Sequence, residues 1–313
     1  MAELTKRATR EGYGDGLCEL GELRPDMVVL DADLSAATKT SVFQKAYPER
    51  FFNCGISEQN MMGVASGLAS AGRLVFASSF AMFAAGRAFE VIRNSIAYPQ
   101  LNVKIGATHG GISVGEDGAT HQCCEDVGVM RALPNMTVIV PADYVEAKAA
   151  VLAMAKHDGP TYLRFGRLAV PIFNGPDYKF ELGKGITMKD GKDITIIASG
   201  LMVAEAVEAA QALHEQGIDA RVINIHTIKP IDRDIIVKAA KETGKIVTVE
   251  EHSIIGGLGS AVGDVVLEEY PVPVIKIGVN DVYGHSGPAK VLLKEFGLSA
   301  ENIVNVVKAA VKA

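Results

Sequence analysis

Short apolar runs rich in Val, Ile and Phe recur along the chain, and between them the apolar positions fall three and four residues apart. The first pattern belongs to strands buried on both faces, the second to amphipathic helices. The predicted strands are MVVLDAD (27–33), LVFASS (74–79), LNVKIGAT (101–108), MTVIVP (136–141) and PTYLRF (160–165), with helices over 57–71, 83–97, 125–132 and 143–157. Strand followed by helix, punctuated by Gly, Pro and Asp, indicates βα units around a parallel sheet. The alternation breaks at LAVPIFNGPDYKFELGKGITMKDGKD (168–193), which reads as a linker with at most a short strand or hairpin. It restarts with ITIIAS (194–199), DARVINI (219–225), KIVTVEE (245–251) and VPVIKIG (272–278). Helices are expected over 202–216 and 232–243, after the Gly-rich turn at 256–264, and twice more before the end. The expected fold class is α/β in two domains. Residues 1–170 surround a central parallel sheet, 171–192 form a linker, and 193–313 form a smaller α/β domain.

Composition narrows the class without changing it. At 313 residues the chain is long enough to bury two cores. Hydrophobic residues make up 48% and charged residues 22%, the balance of an ordinary soluble enzyme. A net charge of −6 without a basic block argues against nucleic acid as a partner. Cys18, Cys54, Cys123 and Cys124 have no CxxC spacing, which points to reduced thiols rather than a disulfide framework. The stretch MAELTKRATREGYG lacks the apolar core of a signal peptide, and no apolar run reaches the ~20 residues that cross a bilayer. A cytoplasmic protein with no membrane partner is expected.

Four places carry candidate chemistry. Glu58 is the only acid between Glu49 and Glu90, and it opens a helix-like stretch of Gly, Ala, Ser and Met in GISEQNMMGVASGLASAG. It is either a first-turn helix acid or a buried carboxyl kept for proton chemistry. The segment ATHGGISVGEDGATHQ (107–122) packs His109, His121, Glu116, Asp117 and four glycines behind a predicted parallel strand. Loops at the carboxyl ends of such strands are where α/β folds place ligands. One histidine alone would read as an incidental member of a solvated turn, whereas this cluster reads as a site. Cys123 and Cys124 beside His121 make no recognisable metal-ligand spacing, so no metal is assigned to this chain. Phe80 and Phe83, three apart at a strand end, either pack in the core or present flat faces to an aromatic ligand. GPTYLRFGR (159–167) brings Arg164 and Arg167 to another strand end, where a guanidinium suits a phosphate, a carboxylate or a surface ion pair.

Two motifs are set aside. Gly14-Asp15-Gly16 follows a charged helix-like segment instead of ending an apolar strand, so it lacks the context of a metal–diphosphate motif. GGLGSAVGD (256–264) is one residue too long for a dinucleotide-binding turn and reads as a tight turn opening a helix.

Taken in order, GISEQNM, SSFAMF, THGGISVGEDGATHQ, LPNMTVIVPAD, GPTYLRFGR and VYGHSGPAKVLLKEFGLSAENIV resemble the transketolase family of thiamine diphosphate enzymes. The resemblance covers nearly the whole chain, in the order of that family's pyrimidine-binding and C-terminal domains. The family's diphosphate-binding domain, with its GDG…N metal site, has no counterpart. The resemblance therefore implies one subunit of a two-chain transketolase, moving a two-carbon ketol unit from a ketose phosphate to an aldose. Thiamine diphosphate would be the cofactor, with Mg²⁺ (or Ca²⁺) held by a separate N-terminal transketolase subunit. It implies an α₂β₂ assembly with active sites at subunit boundaries, acting on sugar phosphates of the pentose phosphate set by default.

Site roles follow from the same resemblance. Glu58 matches the glutamate that hydrogen-bonds N1′ of the aminopyrimidine and so promotes loss of the thiazolium C2 proton; an apolar surrounding suits it. Phe80 and Phe83 match rings that stack on the pyrimidine, and Asp33 and Leu34, in DADL (31–34), match a segment lining the cofactor pocket. His109 and His121 match substrate-contacting histidines that relay protons. Asp117 matches the acid that reads the donor's hydroxyl configuration. Arg167, better than Arg164, matches the sugar-phosphate arginine, with Ser35 or Thr38 also implied at substrate phosphate. Lys6 and Arg7 both compete for a phosphate-binding position, and Gly86 stands where the family often has a tyrosine. The alternatives are a β subunit of a 2-oxo acid dehydrogenase, a deoxyxylulose phosphate synthase fragment, and a non-catalytic scaffold of the same fold. GEDGATHQ and the KEFGLSAENIV ending favour transketolase.

Overall fold

The computed structural model describes residues 5–312. Its first half carries β1 (Lys6–Ala8), β2 (Met27–Asp31), β3 (Phe51–Asn53), β4 (Leu74–Phe80), β5 (Val103–Thr108), β6 (Thr137–Ile139), β7 (Thr161–Arg164) and β8 (Ala169–Pro171). The helices between them are α1 (Thr9–Leu23), α2 (Ser35–Thr38), α3 (Ser41–Ala46), α4 (Glu58–Ser70), α5 (Phe89–Val91), α6 (Asp126–Ala132) and α7 (Tyr144–Met154). The second half has β9 (Ile186–Lys189), β10 (Ile194–Ala198), β11 (Ala220–Asn224), β12 (Thr227–Lys229), β13 (Ile246–Ser253) and β14 (Val274–Val279). It is completed by α8 (Met202–His214), α9 (Arg233–Thr243), α10 (Leu258–Glu269), α11 (Ala289–Glu295) and α12 (Ala300–Lys312).

The larger sheet runs β12-β6-β7-β5-β4-β2-β3 and is parallel except at β12. Every residue of β4 and β5 is buried, as their place among central parallel strands requires. Alternate side chains serve opposite faces. Val75 and Ala77 meet Met61, Ala65 and Ile92, while Leu74 and Phe76 meet Tyr13, Leu17 and Val151. The smaller sheet, β14-β13-β10-β11-β9, is parallel except at β9 and packs on α8 and α12 through Ile196, Val222, Leu213 and Val307. The sheets are not strictly segregated, because β12 comes from the second half yet pairs antiparallel with β6 at the edge of the first sheet.

The linker residues are tied down rather than loose. Asp143 accepts from the Phe173 and Asn174 amides at 3.0 and 2.9 Å, and the Tyr178 hydroxyl donates to Glu146 at 2.6 Å. Glu146 also accepts from Asn224 of β11 at 3.0 Å, so one fully buried carboxyl joins both halves and the linker.

Gly14-Asp15-Gly16 lies inside α1, where its neighbours explain it. A Cβ at Gly16 would press on the Val151 side chain of α7 at 3.0 Å, so glycine there permits close helix packing. Asp15 accepts from Arg7 at 3.1 Å and from the Tyr144 hydroxyl at 2.6 Å. The Gly-rich turn at 256–264 opens α10, and the buried Glu250 carboxyl accepts from the Leu258 and Gly259 amides at 2.7 Å each. The chain's own anion thus fills that helix N-terminus.

The helix expected over 83–97 differs. It is a π turn at Met82–Arg87, one short α turn (α5) and a second π turn at Ile92–Ala97. A π turn closes over one more residue than an α turn, so it changes which side chains face the sheet. No helix among the described residues is long and apolar enough to cross a membrane.

Candidate functional site at the carboxyl ends of β2, β4 and β5

The parallel strands β2, β4 and β5 end side by side, and most of the expected residues project from their carboxyl ends. Phe80 closes β4 and Phe83 sits in the π turn after it; the rings stack with centroids 6.0 Å apart and planes at 18°. His109, immediately after β5, lies over Phe80 at 3.9 Å and 27°. His121 meets the edges of both rings, 6.3 Å from Phe80 and 5.2 Å from Phe83. Four residues that the sequence separates by as many as two loops form one aromatic cluster.

Glu58 begins α4 beside this cluster with its side chain 2% exposed. The surrounding is not purely apolar as expected. Arg87, at the end of the π turn, donates to Glu58 Oε2 at 2.8 Å while its guanidinium carbon sits 4.8 Å from the Phe83 ring centre. Glu58, Arg87 and Phe83 therefore form a continuous contact path. The wider π turn carries Arg87 there, and a residue following the aromatic pair was a signal the sequence offered. Gly86, exposed in the same turn, places no ring on the cluster.

His109 adopts positive φ, 58°, which swings its ring back over Phe80. Its Nδ1 is 2.8 Å from the Thr108 hydroxyl, and Arg10 Nη1 approaches its Nε2 at 3.4 Å. Since Arg10 can only donate, Nε2 is the unprotonated nitrogen and Nδ1–H donates to Thr108. Burial, with the charges of Arg10 and Arg167 and nearby His121 and Lys39, pushes the imidazole down to about 3. His109 is thus a neutral base held under positive charge.

Arg10 also donates to the Ala37 carbonyl at 2.8 Å and so joins α2 to the cluster. Arg7, by contrast, turns away onto the Tyr144 ring and Asp15, and Lys6 is exposed on β1. Neither candidate from the KRAT stretch reaches the cluster; Arg10, about one helical turn on, does.

Asp33, exposed and at φ 65°, accepts from Asn53 at 2.9 Å, and Leu34 and Ser35 are half-buried beside it. The loop is organised by Asp31, which accepts from the Leu34 amide at 2.6 Å and from the Thr38 and Thr40 hydroxyls at 2.7 and 2.9 Å. Burial raises the Asp31 carboxyl, and those three hydrogen bonds oppose the shift. Thr38 is fully buried with its hydroxyl committed to Asp31, so the phosphate role considered for it does not hold, and Ser35 remains the accessible hydroxyl.

Arg164 and Arg167 divide. Arg164 is buried, donating to Asp126 at 2.8 Å and to the Glu251 carbonyl at 2.9 Å. Arg167 is part-exposed, donating to the Val114 carbonyl and to Glu116 at 3.1 Å. Asp117 is exposed at the end of the 3₁₀ turn Ile112–Asp117. No group of three or more His, Cys, Asp or Glu side chains that could hold a metal ion occurs among the described residues. The cleft of about 300 Å³ lined by Gln122, Cys124, Ser253 and Tyr283 contains none of the expected site residues.

Fold and site together define a two-domain α/β protein with a candidate site of rings, a buried carboxyl and histidines at the ends of its central strands. The family model for the transketolase pyrimidine binding domain matches residues 5–172, and that for the transketolase C-terminal domain matches residues 183–303. The chain belongs to the transketolase family. It is 52% identical over 309 residues to a putative transketolase C-terminal section from Methanocaldococcus jannaschii, covering 98% of this chain and 97% of that one. It is 41% identical to a subunit of a 6-deoxy-6-sulfo-D-fructose transketolase from Clostridium sp., covering 96% and 94%. Among solved structures, a split-gene transketolase described as an inactive beta4 tetramer superposes with TM-score 0.91 at 55% identity, covering 98% and 99%. Transketolase from Leishmania mexicana superposes with TM-score 0.83 at 28% identity, and there this chain spans 46% of the longer protein.

Proposed function

We propose that this chain is the pyrimidine-side subunit of a two-chain, thiamine diphosphate-dependent transketolase that passes a two-carbon ketol unit from a ketose to an aldose. The observation that carries the reading is Glu58, a carboxyl 2% exposed beside the stacked Phe80–Phe83 pair and two histidines. That donor set fits an aminopyrimidine, which needs an apolar face to stack on and one carboxyl oxygen for a ring nitrogen. When bound, thiamine diphosphate supplies a carbon nucleophile and electron sink for cleaving the bond beside a ketose carbonyl.

The chain's own residues supply orientation and proton control. Glu58 offers a carboxyl oxygen to the pyrimidine's ring nitrogen, and Phe80 and Phe83 fix the ring plane. Asp33 and Leu34 line the same cofactor pocket. His109 presents a neutral imidazole to the substrate, neutral because burial and the charges of Arg10 and Arg167 keep it so. His121 contacts the substrate from the far side of the rings, and Asp117 reads its hydroxyl configuration. Arg167 and Ser35 receive the substrate's terminal anion. The relatives named for 6-deoxy-6-sulfo-D-fructose and apulose-4-phosphate support a sugar carrying an anionic group, with pentose phosphates as the first set to try.

The diphosphate and its Mg²⁺ (or Ca²⁺) are assigned to a partner, an N-terminal transketolase subunit with a strand-end GDG…N motif, in an α₂β₂ assembly. The relatives called a C-terminal section and a subunit support this, as does the half-length match to longer transketolases. The test is a coupled ketol-transfer assay on this chain, on the partner, and on both with thiamine diphosphate and Mg²⁺. Turnover only by the pair is expected, and full turnover by this chain alone would overturn the two-chain reading.

A further inference from the structure

The loop between His109 and Gln122 is braced by residues from both halves of the chain. Between His109 and Gly118 the backbone takes positive φ at His109, Gly111, Gly115 and Gly118, around the 3₁₀ turn Ile112–Asp117. One buried support comes from the second half of the chain. Glu251, on β13, is 4% exposed and points its carboxyl at the loop, accepting from the Ser113 amide at 2.5 Å. Gly111 lacks a Cβ where the Glu251 side chain lies, since a Cβ there would come within 2.7 Å of Glu251 Cγ. Arg164 clamps the loop's stem by donating to the Cys123 carbonyl at 3.2 Å and to the Glu251 backbone carbonyl at 2.9 Å. Gln122 adds a tie, its amide nitrogen lying 3.0 Å from the His285 carbonyl and 3.3 Å from that of Gly115.

We propose that Glu251 is a positioning residue for the transketolase site, holding the Ser113 amide so that His109 and Asp117 present to substrate in a fixed geometry. On this view the smaller domain contributes to turnover through the loop it braces, although it touches neither substrate nor cofactor there. The inference rests on the transketolase reading for its kinetic consequence, whereas the brace itself is independent of it. Glu58 stands on α4, Phe80 on β4 and Phe83 in the π turn after it, and Glu251 hydrogen-bonds none of these elements, so cofactor binding and substrate handling should separate.

The experiment compares Glu251→Ala, Glu251→Asp and Glu251→Gln in the two-chain enzyme and in this chain alone. In this chain, amide hydrogen exchange at Ser113 should speed up by roughly tenfold in the Ala and Asp variants, as expected for losing one hydrogen bond to a buried carboxyl. Glu251→Gln keeps an acceptor oxygen at the same reach and should restore protection. In the two-chain enzyme the donor KM should rise about tenfold in Ala and Asp, with kcat less affected and thiamine diphosphate affinity within about twofold of wild type. Should Glu251→Ala fail to fold, Glu251→Asp decides, because it keeps the charge facing Arg164 but cannot span to Ser113. Unchanged Ser113 exchange, or a folded Asp variant with wild-type donor KM, would overturn the proposal. A wild-type pair without ketol transfer would instead overturn the transketolase reading, and the exchange measurement would still decide whether the brace exists.

Discussion

Arg87 Nη1 lies 2.8 Å from Glu58 Oε2, joining a guanidinium that is 51% exposed to a carboxyl that is 2% exposed. The pair is lopsided. Water can take over from Glu58 on the arginine side, but among the described residues no other side chain pairs with the carboxylate. Loss of Arg87 therefore falls on Glu58. Arg87→Ala should cost about 1–2 kcal/mol, below the cost of breaking a fully buried pair because half of Arg87 is already solvated. Urea unfolding at neutral pH measures it. An unchanged midpoint would mean that Glu58 finds another partner.

Glu58→Gln keeps size and shape but cannot exchange a proton at that oxygen. In the two-chain enzyme it should lower kcat by about 10²–10⁴, the range for a lost proton-transfer group, with the urea midpoint near wild type. Near-wild-type turnover would remove Glu58 from the chemistry.

His109 should not titrate in the physiological range. Its folded value, about 3, lies below the ordinary 6.5, so the unfolded chain binds the proton first as pH falls. The stability tied to this residue is present above pH 6.5 and is lost as pH falls from there toward 3. Carbon-13 NMR of the labelled imidazole should show a neutral ring from about pH 8 to about pH 5. A midpoint near 6.5 would contradict the burial and the approach of Arg10.

Glu146 behaves in the opposite sense. Burial raises it from 4.5 to about 7, against the hydrogen bonds from Tyr178, the Ala142 amide and Asn224. Between those values the folded chain holds more protons than the unfolded one, so stability falls as pH rises from about 4.5 to about 7. Glu146 contributes at most about 1.4 kcal/mol per pH unit to that slope. Urea midpoints at several pH values should flatten in Glu146→Gln, and an identical slope in both proteins would rule out this assignment.

Much of the architecture was legible because parallel strands advertise themselves. A strand such as LVFASSF, buried on both faces, must carry small or apolar side chains on both, and that constraint is local to the segment. The aromatic pair, both histidines and Glu58 could be named for the same reason, as residue types placed at strand ends. What stayed hidden depended on turn width and on contacts between distant segments. The helix expected over 83–97 opens into π turns, and nothing in its apolar spacing distinguishes those from α turns. Thr38 looked like an accessible hydroxyl until the fold buried it against Asp31. Arg164 and Arg167 differ by three positions, yet one is sealed beneath the loop and the other part-exposed.

The sequence by itself determined the βα alternation, the two-part layout and the residue types at the strand ends, because burial and periodicity act along the chain. Only the tertiary structure decided that Arg87 rests on Glu58, that Arg10 in place of Lys6 or Arg7 reaches His109, and that Glu251 braces Ser113 from 138 residues away. Those are charge and hydrogen-bond partnerships, and they depend on which side chains the folded chain brings within about 3 Å, a distance that no local pattern encodes.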